Sequence, residues 1–480
     1  MQLKYLPEEK LIFGNEIKCY DPRIGLLKGG PYNFNYSKKA EYKIIKCGII
    51  GSSLSIAKLK TFIERVSLGF FAEASTYGNL GFPGLGRKSP LQFSIQFNQN
   101  WENKIIDKEI EGILNASEKV SQKNELIKLF EKKIFILSQT EPPLDVIFIS
   151  IPKQIIKSFK RENIISDNII FANRNIASTV YEMDGDINFH NIVKILGMKY
   201  DVITQIIKPN TLKYKTTEDK VTIAWNLAVS LYYKAGGVPW KFTELEDGVC
   251  YVGISFYRDF SQVNISLNTS MAQVFLSTGD SFILRGDTFE WTNDKSDPIP
   301  HLDEEQSKNL INKVLDFYFN KKRSYPSRLV IYKTSNFTQE EINGFYSNKG
   351  NIQNCDMLSI QDNSKIFLYR QSQYPVMRGT FIKSEDEREG VLYTTGLIPS
   401  MKTYPGMRIP KPLYIRQYTQ NTELEILYKE ILTLTRLDWN TIKFCQKFPV
   451  TISFPQKVGK ILAERRAREI QIKAHYRYYM

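Results

Sequence analysis

His190 and Lys194 stand four residues apart in FHNIVKILGMK, so on an α-helix they share one flank, a turn apart. Two donor side chains stacked in this way can grip a small anion through charge-assisted hydrogen bonds. Gln205 follows in DVITQII, a polar residue in an otherwise apolar run, and Lys234 closes a second helical pattern at SLYYKAGG. One reading is a pocket for the 5′ end of a nucleic acid. The other is a solvated helix flank. On these residues alone the flank carries more weight, since His and Lys at this spacing are common and the helix dipole favours a lysine in a last turn whatever its role.

The surrounding pattern says what must hold these side chains. Phe189, Ile192, Val193 and Leu196 fall at i, i+3, i+4 and i+7, the stripe of a helix over about 187–196, and Gly197 is expected to stop it. DVIFISIP (145–152) is a near-continuous apolar run, as in a parallel strand covered on both faces, and 201–207 reads as the next strand. Strand, helix, strand in this order implies a right-handed crossover and a small parallel sheet. Earlier come a strand at 41–50, a helix at 53–66 capped by Ser52 or Ser53, a strand at 92–97 and a helix over about 122–135. The glycine-rich GFPGLGRKSP (81–90) has no strand directly before it or helix directly after, so it reads as a turn-rich connection and not as a phosphate loop. Residues 1–215 thus form a Rossmann-like α/β module with an irregular N-terminal segment to about residue 40. The second helix, VTIAWNLAVSLYYK, buries Ala224, Leu227, Ala228 and Leu231 and ends at Gly236 and Gly237.

Residues 216–480 have a different order. A buried strand at 248–257 is followed by hairpin-connected strands at 262–268, 272–278 and 281–286, a helix at 304–320, a strand at 327–333 and a helix at 338–346. Three or so antiparallel strands, a helix, a parallel strand and a helix make the RNase H-like arrangement. A nuclease of that kind needs carboxylates in its first strand and at the end of the strand after its first helix, where they hold divalent ions on the scissile phosphate. Those positions carry Ser255 and Thr334, and Pro455 or Gln456 stands where a last ligand is expected. Asp259, Asp280 and Asp287 lie at strand ends or turns, so a displaced acid set in an active nuclease remains the alternative. Only His190, His301 and His475 exist and no G-x-S-x-G elbow accompanies them, which speaks against a serine hydrolase.

Lys and Arg exceed Asp and Glu by 65 − 51 = 14, which suggests a polyanionic partner, nucleic acid first. From Thr451 onward Lys457, Lys460, Arg465, Arg466, Arg468, Lys473 and Arg477 face only Glu464 and Glu469, and the aromatic ending RYYM suggests a docked terminus. Five scattered cysteines without a C-x-x-C pair indicate neither disulfides nor zinc. No apolar run is long enough to span a bilayer and MQLKYLPEEK lacks a secretory h-region, so no membrane association and a cytoplasmic location are expected.

The block AWNLAVSLYYKAGGVPWKFTELEDGVCYVGISF (224–256), with FHNIVK (189–194), TQ (204–205), MRGTF (377–381), IPKPLYI (409–415), ILTLTRLDWN (431–440) and FPVTISF (448–454), resembles the short prokaryotic Argonautes. The resemblance runs from about residue 180 to the end, and before that only GLLKGGPYN and GFPG match loosely. It implies a MID domain followed by a PIWI domain, without the N and PAZ domains of longer Argonautes. It also implies that His190, Lys194, Gln205 and Lys234 bind the 5′ phosphate of a guide RNA, with Mg2+ shared between Gln205 and the C-terminal carboxylate of Met480. Ser255 and Thr334 follow the slicing-inactive pattern. Such proteins sense complementary single-stranded DNA and pair, as heterodimers that form higher oligomers on activation, with an APAZ protein. Its fused effector is commonly a TIR or sirtuin-type NADase, less often a nuclease, and acts in antiviral defence by harming the invaded cell.

Overall fold

The computed structural model describes residues 2–33, 42–72, 80–115, 118–152, 155, 188–214, 216, 218–242, 248–259, 267–276, 281–290, 300–347, 352, 354–385, 388–404, 406, 408–419 and 421–480. The chain is mixed α/β, with one fully parallel sheet and one larger mixed sheet.

In the first module the strands Phe93–Gln96, Lys43–Gly51, Val146–Ser150 and Thr204–Ile207 lie side by side in that order, and Glu102–Lys104 extends the pairing along Lys43–Gly51. All five run parallel. Every residue of Val146–Ser150 is buried, as its unbroken apolar run requires when helices cover both faces. Ser53–Leu68 begins where the Ser52 hydroxyl accepts from the Ser55 N–H. Lys119–Ser138 and Phe189–Lys199 pack on the sheet and on each other, with Phe130 edge-on to Phe189.

Gly197 does not end the 189–199 helix, which continues through it to Lys199. A Cβ at Gly197 would lie 2.7 Å from the Val202 carbonyl oxygen, so the glycine lets the chain fold back tightly into Thr204–Ile207. Its role is close approach. The turn itself falls at Asp201, a left-handed residue.

The second module has a nine-stranded sheet. Its central order is Ser281–Glu290, Leu267–Leu276, Val249–Asp259, Arg328–Lys333, Asn354–Gln361: three antiparallel strands, then two parallel to Val249–Asp259. This is the RNase H-like order. The strand expected at 272–278 begins at Leu267, so the expected 262–268 and 272–278 strands merge in part, while 262–266 and 277–278 lie outside the described residues. Beyond Asn354–Gln361 the sheet continues through Leu413–Gln417, Glu389–Leu392 and Thr380–Lys383 to Gln2–Tyr5 at its edge. Residues near the N-terminus therefore pair within the second sheet, and Leu11–Ile12 pairs with Lys241–Phe242.

Helices Glu304–Lys322 and Gln339–Ser347 cover one face of this sheet and Val450–Leu462 the other. Alternation sorts the side chains: Cys250, Val252 and Ile254 point toward the first pair, Val249, Tyr251 and Tyr257 toward Val450–Leu462. Gly253 makes the second contact close. A Cβ there would lie 1.7 Å from the Thr451 carbonyl oxygen and 3.1 Å from Pro455 Cγ. Among the described residues no helix is long and apolar enough to cross a membrane.

Candidate functional site

The Phe189–Lys199 helix starts at Asn188, whose side chain accepts from the His190 N–H. Its residues from Asn191 to Met198 are all buried, so Lys194 is on no solvated flank. With 2 % of its surface exposed, it turns inward and its Nζ donates to the Thr204 carbonyl at 2.7 Å and to Thr204 Oγ1 at 3.3 Å. The second helix, Lys220–Lys234, is capped by Asp219, which accepts from the N–H groups of Val221 and Thr222. Lys234 is 1 % exposed, and its Nζ donates to the same Thr204 carbonyl at 3.3 Å and to Gln205 Oε1. Two ammonium groups from separate helices thus converge on one backbone oxygen.

Such an arrangement is costly without an anion. No carboxylate among the described residues pairs with either lysine, and two like charges a few ångströms apart repel strongly in a dry setting. Burial lowers the Lys194 pKa to about 7. Burial, and then the Lys194 charge, hold Lys234 well below the usual lysine range. His190 keeps part of its side chain at the surface, yet desolvation of the ring, then the Lys194 charge, and further Lys234 and Lys208, hold it to about 4 against an opposing hydrogen bond with Asn191. All three shifts disfavour protonation, and a phosphate dianion among these groups would reverse them.

His190, Lys194, Gln205 and Lys234 are therefore brought together. Met480 is buried in the same core, and the Tyr476–Tyr478 turn packs against both helices. The terminus is docked, as its aromatic ending suggests: Tyr476 stacks on Phe454 at 4.0 Å, and Tyr478 Oη donates to Asp201 Oδ1 at 2.6 Å beside Lys473. Among the described residues no hydrogen bond or ion pair joins Met480 to Gln205. The Thr204 carbonyl on which both lysines converge is a backbone atom, so although TQ (204–205) is part of the resemblance, this role has no signal in the residue type.

In the second module the parallel register runs as far as Gly253 opposite Tyr332, two residues before Ser255 on one strand and two before Thr334 on the other. Ser255 continues the face of Tyr251 and Gly253, toward the helix that carries Pro455. Asp287 is instead half-exposed and paired with Lys313 at 2.8 Å. Asp280 and the side chain of Asp259 lie outside the described residues. Among the described residues no cluster of three or more His, Cys, Asp or Glu side chains could hold a metal.

The remaining sequence candidates have structural partners. His301 lies beside Glu341 and Lys333, and Glu341 also accepts from the N–H groups of Leu302 and Thr338. His475 sits between Tyr233 and Phe282, where burial lowers its pKa to about 4. The 81–90 loop braces the second helix: the Gly81 carbonyl accepts from Trp225 Nε1, and Phe82 packs edge-on to Trp225.

No protein-family model and no curated relative matches the chain. Solved structures do. Clostridium butyricum Argonaute bound to a guide DNA (5′ deoxycytidine) and a 19-mer target DNA superposes with a TM-score of 0.62 at 16% identity, covering 96% of this chain and 52% of that one. An Aquifex aeolicus Argonaute gives 0.57 at 15% identity over all of this chain and 57% of that one. The chain has an Argonaute-like fold. Its Rossmann-like and RNase H-like modules correspond to the MID and PIWI parts of that fold. It spans only about half the length of these Argonautes.

Proposed function

We propose that the chain is a guide-loaded, non-cutting Argonaute of the short type, which recognises complementary single-stranded DNA through a bound guide RNA. The observation that carries the reading is the convergence of Lys194 and Lys234, both buried and without a carboxylate partner among the described residues, on the Thr204 carbonyl. His190, Lys194, Gln205 and Lys234 hold the 5′ phosphate. The donors suit a hard cation: the Gln205 amide oxygen has a second lone pair beyond the one given to Lys234, and Met480 supplies a carboxylate. Mg2+ bound there would neutralise the crowding of phosphate and C-terminal carboxylate. Base pairing supplies sequence specificity, while the basic protein contacts the backbone by shape.

Neutral Ser255 and Thr334, with Pro455 or Gln456 at the last expected position, support loss of cutting. An associated APAZ protein would carry the activity, and the resemblance favours a TIR or sirtuin-type NADase in cytoplasmic antiviral defence. The test is to sequence and end-label the nucleic acid that copurifies with the chain, in wild type and in His190→Ala plus Lys194→Ala. Short RNAs with a uniform 5′ phosphate, lost in the double variant, are expected. Absence of short oligonucleotides, or their retention unchanged, would overturn the reading.

A further inference from the structure

We propose that Glu464 is a positioning residue for the 5′-phosphate pocket, closing a capping box across the two modules and so fixing the first turn of the Phe189–Lys199 helix and His190 with it. The inference rests on the guide-binding reading above. Within a single helix, a capping box has the N-cap side chain accept from the backbone near the third helical residue, whose Glu or Gln side chain reaches back to the N-cap N–H. Here the N-cap is Asn188, which accepts from His190, and the third residue is Asn191. The missing acceptor comes from 273 residues away.

Glu464 Oε1 accepts from the Asn188 N–H at 3.3 Å and from Asn191 Nδ2 at 3.2 Å, and Asn191 Nδ2 also donates to the Lys460 carbonyl at 3.0 Å. The amide nitrogen of Asn191 is thus engaged by the second module, while the Asn188 side chain holds the backbone N–H of the adjacent His190 at 3.0 Å. In both contacts the Glu464 carboxylate serves as a hydrogen-bond acceptor. It follows directly on Val450–Leu462, the helix seated on Gly253, so the seat of that helix on the second sheet sets where the acceptor stands.

The test measures binding of 5′-phosphorylated and 5′-hydroxyl oligoribonucleotides of one sequence to the full chain freed of nucleic acid. Glu464→Ala and Asn191→Ala are each expected to lower the preference for phosphate by about tenfold, within the range for a lost helix cap, while 5′-hydroxyl binding stays put. Glu464→Gln, which keeps the acceptor, retains the preference. A full preference in Glu464→Ala, an equal loss in Glu464→Gln, or a parallel fall for both oligonucleotides overturns the inference. A wild type without preference for phosphate overturns the guide reading as well, which separates the two failures.

Discussion

The two modules treat charge in opposite ways. The first buries two lysines with no acid beside them among the described residues, and keeps them there on a backbone carbonyl. The second has a serine on one inner strand and a threonine just past the end of the next, where an RNase H-like nuclease is expected to carry acids. One site is strained toward an anion. The other offers hydroxyl groups at positions where acids would demand a cation. The function proposed above uses both: a nucleic acid held by its end and left uncut.

Four experiments would break or sharpen that contrast. The largest effect is expected from Lys194→Met plus Lys234→Met, which removes two charge-assisted contacts at about 1.5–3 kcal/mol each and should weaken 5′-phosphate binding by about a thousandfold. The same variant, free of nucleic acid, should melt no lower than wild type, because an apolar replacement relieves buried charge. A lowered melting temperature would mean that the lysines serve the fold.

Next comes Gly253→Ala. Its Cβ would meet the Thr451 carbonyl oxygen at 1.7 Å, so the Val450–Leu462 helix must shift, at a cost of about 3 kcal/mol, the upper end for overpacking, read from urea unfolding. Smaller per pH unit is a pH dependence of the unloaded protein. Lys194 is lowered to about 7 in the fold but keeps its proton to 10.5 when unfolded, so between these values the unfolded chain binds more protons. Stability should therefore rise with pH across that window, by about 1.4 kcal/mol per unit for each such group, be fully present above 10.5 and be lost as pH falls toward 7. A bound 5′ phosphate should flatten the slope. The smallest effect is expected from Ser255→Asp plus Thr334→Asp: no cleavage of a labelled complementary DNA with manganese, since neither Pro455 nor Gln456 offers a carboxylate as a third ligand. Product bands would show that the centre is nearer to working order than its residues imply.

The elements were largely legible from periodicity, and the RNase H-like order followed from their succession. The site was legible only in part. Spacing put Lys194 beside the apolar stripe of its helix, where solvent was the weightier reading, and nothing local shows that the C-terminal turn and the Val450–Leu462 helix close over it from more than two hundred residues away. Burial of that lysine is a tertiary fact. The same holds for Asn191 and Glu464, which look like surface residues until the modules meet. Gly197 shows the converse error: a glycine at the end of a pattern resembles a stop, but the requirement it meets is clearance for Val202.

The strand Gln2–Tyr5 lies on the far edge of the second sheet, and Leu11–Ile12 joins Lys241–Phe242 just after the second helix. Leu11–Ile12 precedes the parallel-sheet module in the chain and Lys241–Phe242 follows it, so the two ends of the segment that forms that module meet side by side in one small sheet.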